Sequence, residues 1–99
     1  MELSLVQSIT APVSSSLFGY QVSISGSVML ISAPSQNIDG KSNTGAVHAY
    51  EYGGSSWSHS QAFGNEQLNA QFGLAMDMDG DKMLATTTTS GTYDCEAWN

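Results

Sequence analysis

The chain has little positive charge. Its 99 residues contain two Lys or Arg residues against nine Asp or Glu, which gives a formal net charge of −7 at neutral pH. Both cations are lysines, Lys41 and Lys82. Nucleic-acid binding needs clustered cations that displace counterions from phosphates, so this composition excludes it. An anionic membrane surface is disfavoured on the same ground.

Cysteine and long apolar runs are also scarce. The single cysteine, Cys95, has no partner for a disulfide within the chain, and we predict it as a small buried residue of a strand. No apolar run approaches the ~20 residues of a membrane span, so membrane insertion is not expected. Residues 1–10, MELSLVQSIT, lack the cationic start and apolar core of a signal peptide, so export would require a signal outside this stretch.

The chain lacks the common catalytic motifs. It contains no G-x-S-x-G, no H-E-x-x-H and no glycine loop of the phosphate-binding type. Its two histidines, His48 and His59, lie on either side of Gly53-Gly54, and we expect them to approach each other across a hairpin. Two ligands are too few for a closed zinc site. We therefore expect structural histidines, no catalytic residues and no cofactor.

One stretch of the chain occurs twice. Residues 18–34, FGYQVSISGSVMLISAP, align without a gap to residues 72–88, FGLAMDMDGDKMLATTT, at a shift of 54. The identical pairs are Phe18/Phe72, Gly19/Gly73, Gly26/Gly80, Met29/Met83 and Leu30/Leu84. The same shift places residues 3–9 on residues 57–63. Self-similarity at a fixed period indicates a repeat architecture.

Alternation of apolar and polar residues predicts strands in both copies. We predict an outer strand followed by three more, over 3–9 and then 20–52 in a first repeat of residues 1–54, and over 56–63 and then 74–97 in a second repeat of residues 55–99. Gly26 and the pair Asp79-Gly80 indicate tight hairpin turns. Four antiparallel strands in about 54 residues suit a β-propeller blade, and equally a small sandwich.

The first copy resembles the FG-GAP repeat of integrin-α-type and bacterial surface β-propellers. The matching positions are Phe18-Gly19, Val22, Ile24, Gly26, Leu30, Ala33-Pro34, Gly45-Ala46-Val47, Tyr50 and Trp57. The second copy is degenerate, since Thr86-Thr87-Thr88 replaces the Gly-Ala-Pro element. The resemblance implies an all-β fold of two tandem four-stranded antiparallel propeller blades, with residues 1–99 forming a single partial β-propeller.

Calcium binding is where the sequence departs from this family. Integrin-type repeats carry a D-x-D-x-D-G-x-x-D loop between the first two strands, and here that connection is only Ser25-Gly26-Ser27 or Asp79-Gly80-Asp81. Calcium takes six to eight oxygen ligands, which such a short hairpin cannot supply. The weak calcium candidates are Asn37, Asp39, Asp77, Asp79 and Asp81. The alternative for the strand aspartates is a solvated edge that opposes aggregation.

The resemblance implies a non-enzymatic binding or adhesion module for a protein or glycan ligand, located outside the cell or on its surface. A chain that is 11% charged and rich in Ser, Thr, Gly, Asn and Gln also favours a β-rich extracellular protein. The alternative is a purely structural blade pair of a larger secreted protein or enzyme whose active residues lie elsewhere. The candidate ligand-binding residues are Tyr20, Asn37, Asp39, Ser42, Asn43, Asp79 and Asp81.

Aromatic residues and bare blade faces suggest further contacts. Tyr50, Tyr52 and Trp57 combine apolar area with a polar tip, as sugar and protein contacts require. The alternative is that Trp57 packs between neighbouring blades and the tyrosines cover blade faces. Two blades leave apolar faces exposed, so we expect further propeller blades as partners, in the same chain or by self-association.

Overall fold

The computed structural model describes residues 3–64, 67–89 and 92–99, and these residues form an all-β protein. The strands are β1 (Val22–Ser25), β2 (Val28–Ala33), β3 (Ala46–Tyr52), β4 (Trp57–Phe63), β5 (Met76–Asp79), β6 (Lys82–Thr89) and β7 (Thr92–Trp98). They form two antiparallel sheets, ordered β1-β2-β3-β4 and β5-β6-β7. This arrangement is that of partial propeller blades. The described residues contain no helix long and apolar enough to cross a membrane.

The two sheets repeat the same backbone. The hydrogen bond from the Gly19 amide to the Ser32 carbonyl (3.0 Å) recurs from Gly73 to Thr86 (3.1 Å). Positive φ angles also recur at equivalent positions, in the pairs Ser15/Asn69 (56° and 59°), Leu17/Gln71 (58° and 49°), Gly19/Gly73 (93° and 89°) and Gly26/Gly80 (58° and 60°). The sequence repeat is therefore a structural repeat.

Residues 3–9, predicted as an outer strand, do not form one in the structure. A side chain holds this segment instead: Gln7 Nε2 donates to the Trp57 carbonyl (3.0 Å), and the Trp57 amide donates to Gln7 Oε1 (2.8 Å). Leu3, Leu5 and Val6 are between 83% and 87% exposed. Alternation identifies a segment suited to a strand, but a strand also needs a free sheet edge in the right place.

The sheet boundary also differs from the predicted repeat boundary. β4, assigned by the sequence to the second repeat, is the fourth strand of the first sheet. The second sheet has three strands within the described residues, and β7 lies at its edge. Cys95, predicted as buried, is exposed on β7. The reason is that no neighbouring element covers this part of the strand among the described residues.

The core lies between the inner faces, the sides that the two sheets turn toward each other. It consists of Leu30, Val47, Ala49, Phe72, Met83 and Ala85. Phe72 is fully buried, and its ring lies edge-on to Trp98 with centroids 5.6 Å apart. Phe18, its equivalent, is partly buried on the outer face of the first sheet, edge-on to Tyr50 at 6.4 Å. The repeated phenylalanine is therefore fully buried in one copy and partly exposed in the other.

A main-chain junction joins the sheets beside this core. The amides of Asn69, Gln71 and Phe72 donate to the carbonyls of residues 42, 43 and 44 over 2.8–2.9 Å. Gly45 then pairs with Phe72 in a parallel bridge. A Cβ at Gly45 would lie 2.5 Å from the Phe72 carbonyl oxygen, so this approach requires glycine.

Candidate functional site

The candidate residues from the sequence lie at opposite ends of the strands. β1 runs from Tyr20 toward the Gly26 turn, and β2 returns to the loop that leads into β3. Tyr20 and residues 34–45 therefore lie at one end, which we call the loop end. Asp79 ends β5 and Asp81 lies in the turn before β6, at the opposite end, which we call the turn end. The structure does not bring these two aspartates together with the other candidates.

The loop between β2 and β3 is held in one conformation by its own hydrogen bonds. The Ile38 amide donates to the Lys41 carbonyl (3.1 Å), and the Lys41 amide donates to the Ile38 carbonyl (2.9 Å). At the tip, Asp39 adopts a φ of 52°. The Asn43 amide donates to Asn37 Oδ1 at 3.0 Å, which closes the base of the tip. The loop is therefore a preorganised structure.

The four loop candidates differ in how accessible their side chains are. Asn37, Asp39 and Ser42 are exposed, whereas Asn43 is partly buried. Asn43 Nδ2 also donates to Asn69 Oδ1 at 3.4 Å, which connects the loop to the second sheet. Asn37, Asp39 and Ser42 can therefore contact a ligand directly, and Asn43 acts mainly in the junction.

Gln36 links this loop to a pair of histidines, of which His48 is buried and His59 is exposed. Gln36 Oε1 lies 2.7 Å from His48 Nε2, and His48 Nδ1 lies 2.9 Å from His59 Nε2. An amide oxygen accepts only, so His48 Nε2 carries the proton and its Nδ1 accepts from the Nε2–H of His59. The predicted approach of the two histidines across the hairpin is confirmed.

Burial sets the electrostatics of His48 and of Tyr50 beside it. Burial, followed by the charge of His59, lowers the pKa of His48 below its ordinary value of 6.5. Burial also raises the pKa of Tyr50, whose ring lies edge-on to His59 at 5.1 Å. Phe18 covers His48 with a centroid distance of 5.6 Å. These contacts hold His48 neutral and orient it, which suits a structural role.

The sequence pattern did not identify Gln36 as important. Its main-chain carbonyl accepts from Thr44 Oγ1 and from the Gly45 amide, both at 3.0 Å. With its side chain on His48, Gln36 connects both ends of the loop to β3. A glutamine in a polar loop carries no local signal for such a role, because His48 lies 12 residues away.

The calcium candidates also divide between the two ends. Asp77 Oδ1 accepts from the Met78 amide at 3.0 Å, and Asp81 forms an exposed ion pair with Lys82 at 3.4 Å. Exposed pairs of this kind contribute little to stability. Across residues 3–64, 67–89 and 92–99, no three or more His, Cys, Asp or Glu side chains are placed to hold one metal ion.

A cleft of about 590 Å³ lies between the inner faces, near the turn end. Phe63 and Trp98 stack along it with centroids 5.2 Å apart. Trp98 Nε1 is buried there without a hydrogen-bond partner, the one such side-chain atom found among the described residues. Trp57, considered from the sequence for packing between blades, instead contacts Tyr52 on the outer face of the first sheet. Trp98, which contacts Phe63 and Phe72, is the tryptophan that packs between the sheets.

Comparison with protein families identifies the first copy. Residues 4–50 match the family model of the FG-GAP repeat. The match confirms the resemblance, and it covers β1, β2, the loop and β3 as far as Tyr50. No curated protein and no solved structure matches the chain.

Proposed function

We propose that this chain, whose residues 4–50 match the FG-GAP repeat, is a non-enzymatic β-propeller-like module for binding or adhesion outside the cell. FG-GAP repeats occur in extracellular and cell-surface proteins, and the low content of charged residues supports the same location. The proposed contact surface is the loop end, and the proposed ligand is a protein or a glycan.

Preorganisation of the loop between β2 and β3 carries this proposal. The reciprocal hydrogen bonds between Ile38 and Lys41 fix its tip before any ligand binds. A loop that is already ordered loses less conformational entropy on binding. The exposed Asn37, Asp39 and Ser42 offer an amide, a carboxylate and a hydroxyl, which pair with sugar hydroxyls or with polar groups of a protein surface.

Tyr20 adds an apolar contact at the same end. Its side chain is 51% exposed. A tyrosine ring provides apolar area together with a hydroxyl group, a combination used against both sugar rings and protein surfaces. The loop end therefore combines polar groups with one aromatic surface, as binding sites for such ligands do.

The histidine pair supports a role without catalysis. General base catalysis requires a histidine nitrogen within reach of a substrate proton. In the assigned tautomers both nitrogens of His48 are already used, one by Gln36 and one by His59. His48 is thereby explained by its contribution to the loop and sheet.

A second candidate function is a purely structural blade pair. It is favoured by the apolar residues exposed on the outer faces, Val22, Ile24 and Leu84. Exposed apolar patches indicate surfaces that another protein element covers. This function and ligand binding at the loop end use different surfaces, so one experiment can separate them.

The test is a binding screen with one double variant at each end of the strands. The purified chain is applied to a printed glycan array and to immobilised extracellular-matrix proteins. For any ligand found, we expect the double variant Asp39→Ala/Ser42→Ala to lose about tenfold or more in affinity, as removal of a charged hydrogen bond predicts. The control Asp79→Ala/Asp81→Ala alters the turn end and leaves affinity unchanged. Absence of binding on both arrays, or equal loss in both variants, would contradict the proposal.

A further inference from the structure

The two sheets are incomplete in complementary ways. Residues 3–9 carry the strand pattern but form no strand, while β7 has no strand on its outer edge within the described residues. We propose that residues 3–9 of one copy add to β7 of a second copy as its fourth strand, in a head-to-tail assembly. This inference concerns the sheet edge and stands independently of any ligand at the loop end.

The repeat identifies which edge the segment fits. Residues 3–9 align with residues 57–63, which are β4, at the same shift of 54 that relates the two copies. In the first sheet β4 is the fourth strand and pairs with β3. In the second sheet the strand equivalent to β3 is β7, and its outer edge is the position equivalent to that of β4, which no strand of the described residues occupies.

The observed registers fix how β7 corresponds to β3. Met29 pairs with Tyr50 in the first sheet, and its equivalent Met83 pairs with Trp98 in the second. Trp98 therefore occupies the position of Tyr50. Counting back three residues along each strand places Cys95 at the position of Val47.

The same correspondence defines the new register. Val47 pairs with Phe63 on β4, and Phe63 is the repeat equivalent of Ile9. The added strand therefore places Ile9 directly opposite Cys95. Directly opposed residues of an antiparallel pair have Cβ atoms about 4.5–5.5 Å apart. The inference thus names a specific pair of residues on two different copies.

The outer faces of the sheets fit the same assembly. In one chain, Leu30 on the first sheet is 5% exposed because the second sheet covers it, whereas its equivalent Leu84 is 51% exposed. The opposite comparison holds for the strands that face the other way. Met76 and Met78 of the second sheet are partly buried, whereas their equivalents in the first sheet, Val22 (65%) and Ile24 (61%), are exposed. A second copy that adds its segment to β7 brings its Val22 face onto the Leu84 face. The contact between the sheets is then continued between copies.

The segment is free enough to exchange. Leu3, Leu5 and Val6 make almost no buried contact, so their transfer exposes no apolar core. The two hydrogen bonds between Gln7 and the Trp57 main chain must break. A row of main-chain hydrogen bonds along β7 replaces them. Each copy donates one segment and accepts one, which is a heterologous interface.

Disulfide trapping tests the named pair. Because Cys95 is the chain's single cysteine, Ile9→Cys creates one engineered pair in the full chain. Opposed residues at this separation satisfy disulfide geometry. After mild oxidation we expect disulfide-linked dimers and higher multimers on non-reducing gels, above the level in the unmodified chain. The control Ile9→Cys/Cys95→Ser loses the multimers beyond dimer, and Ser8→Cys, on the opposite strand face, cross-links far less.

Four outcomes would overturn the inference. One is an intramolecular disulfide, seen as an oxidised monomer without free thiols, because the segment would then pair within its own chain. Another is equal cross-linking of Ser8→Cys and Ile9→Cys, which removes the register. The third is a chain that stays monomeric in sedimentation up to about 100 µM, since assembly is concentration-dependent. If wild-type assembly is observed, deletion of residues 2–9 should abolish it while the circular dichroism of the sheets persists, and assembly that survives the deletion also contradicts the inference.

Discussion

The two sheets share a backbone but differ in what covers it. Gly19 and Gly73 have almost the same φ, yet a side chain at Gly19 would meet open space and one at Gly73 would meet the first sheet. The hairpins and the positive φ angles depend on local sequence, which the repeat preserves. Burial depends on the neighbouring unit. This is the behaviour of a repeat protein, in which each unit stabilises the next rather than itself.

The copies also differ in the side chains and in the length of the connection at equivalent positions. His48, held by Gln36 under the long loop, corresponds by register to Glu96 on β7. In the second copy only residues 90 and 91, which lie outside the described residues, separate β6 from β7 in the sequence. The first sheet therefore carries the candidate binding surface. The second sheet covers the inner face of the first and has β7 at its edge.

The largest expected effect comes from truncating the repeated phenylalanine. Phe72→Ala removes a fully buried ring and should lower the free energy of unfolding by about 3–5 kcal/mol. Phe18→Ala removes a partly buried ring and should cost about half of that or less. Urea denaturation monitored by circular dichroism measures both. Equal losses would show that Phe18 is covered as fully as Phe72, and would contradict the difference between the copies.

The strands of the core were predictable from the sequence because their patterns are local. β1 and β5 alternate between apolar and polar residues, β2 is a short β-rich run, and Gly26 and Asp79-Gly80 identify the two turns. Residues 3–9 alternate equally well, but strand formation there depends on a partner edge. Cys95 is exposed for the same reason, since a buried strand residue needs a cover that this chain does not place over it among the described residues. The sequence pattern predicts which segments can form strands, whereas the burial of a strand depends on the elements that pack against it.

The candidate site was predictable only in part. The polar composition of residues 35–44 indicates an exposed loop, and the spacing around Gly53-Gly54 brings His48 to His59. Two features depend on tertiary contacts: the attachment of Gln36 to His48, and the separation of Asp79 and Asp81 from the loop end. Neither has a local sequence signal, because each depends on how distant strands are registered.

A smaller difference is expected from a matched pair of glycine substitutions. Gly19→Ala and Gly73→Ala both force an alanine into a left-handed conformation, at a cost of about 1–2 kcal/mol. At Gly73 the new Cβ would also lie 2.9 Å from Ser32 Cβ and 3.0 Å from Val47 Cγ2, whereas nothing lies within 4 Å at Gly19. Overpacking of that kind adds about 1–3 kcal/mol. The thermal unfolding midpoint of Gly73→Ala should therefore be lower than that of Gly19→Ala. The reverse order would mean that Gly19, and not Gly73, is the position covered by a neighbouring sheet.

The smallest expected effect is a dependence of stability on pH. It comes from His48, which lies on β3 of the first sheet. The pKa of His48 is lowered in the folded chain, by burial first and then by His59, so the unfolded chain binds the proton more readily. Stability is therefore complete above the ordinary histidine pKa of about 6.5 and falls as the pH drops below it, until His48 is protonated in the folded state as well. We expect the thermal midpoint to decrease as the pH is lowered from about 7.5 to about 5.5, and to decrease less in His48→Gln, which cannot titrate.

His59→Gln should give an intermediate dependence, because it removes the smaller of the two causes that lower the pKa of His48. If His48→Gln loses as much stability as the wild type over this range, His48 is not the origin of the pH dependence.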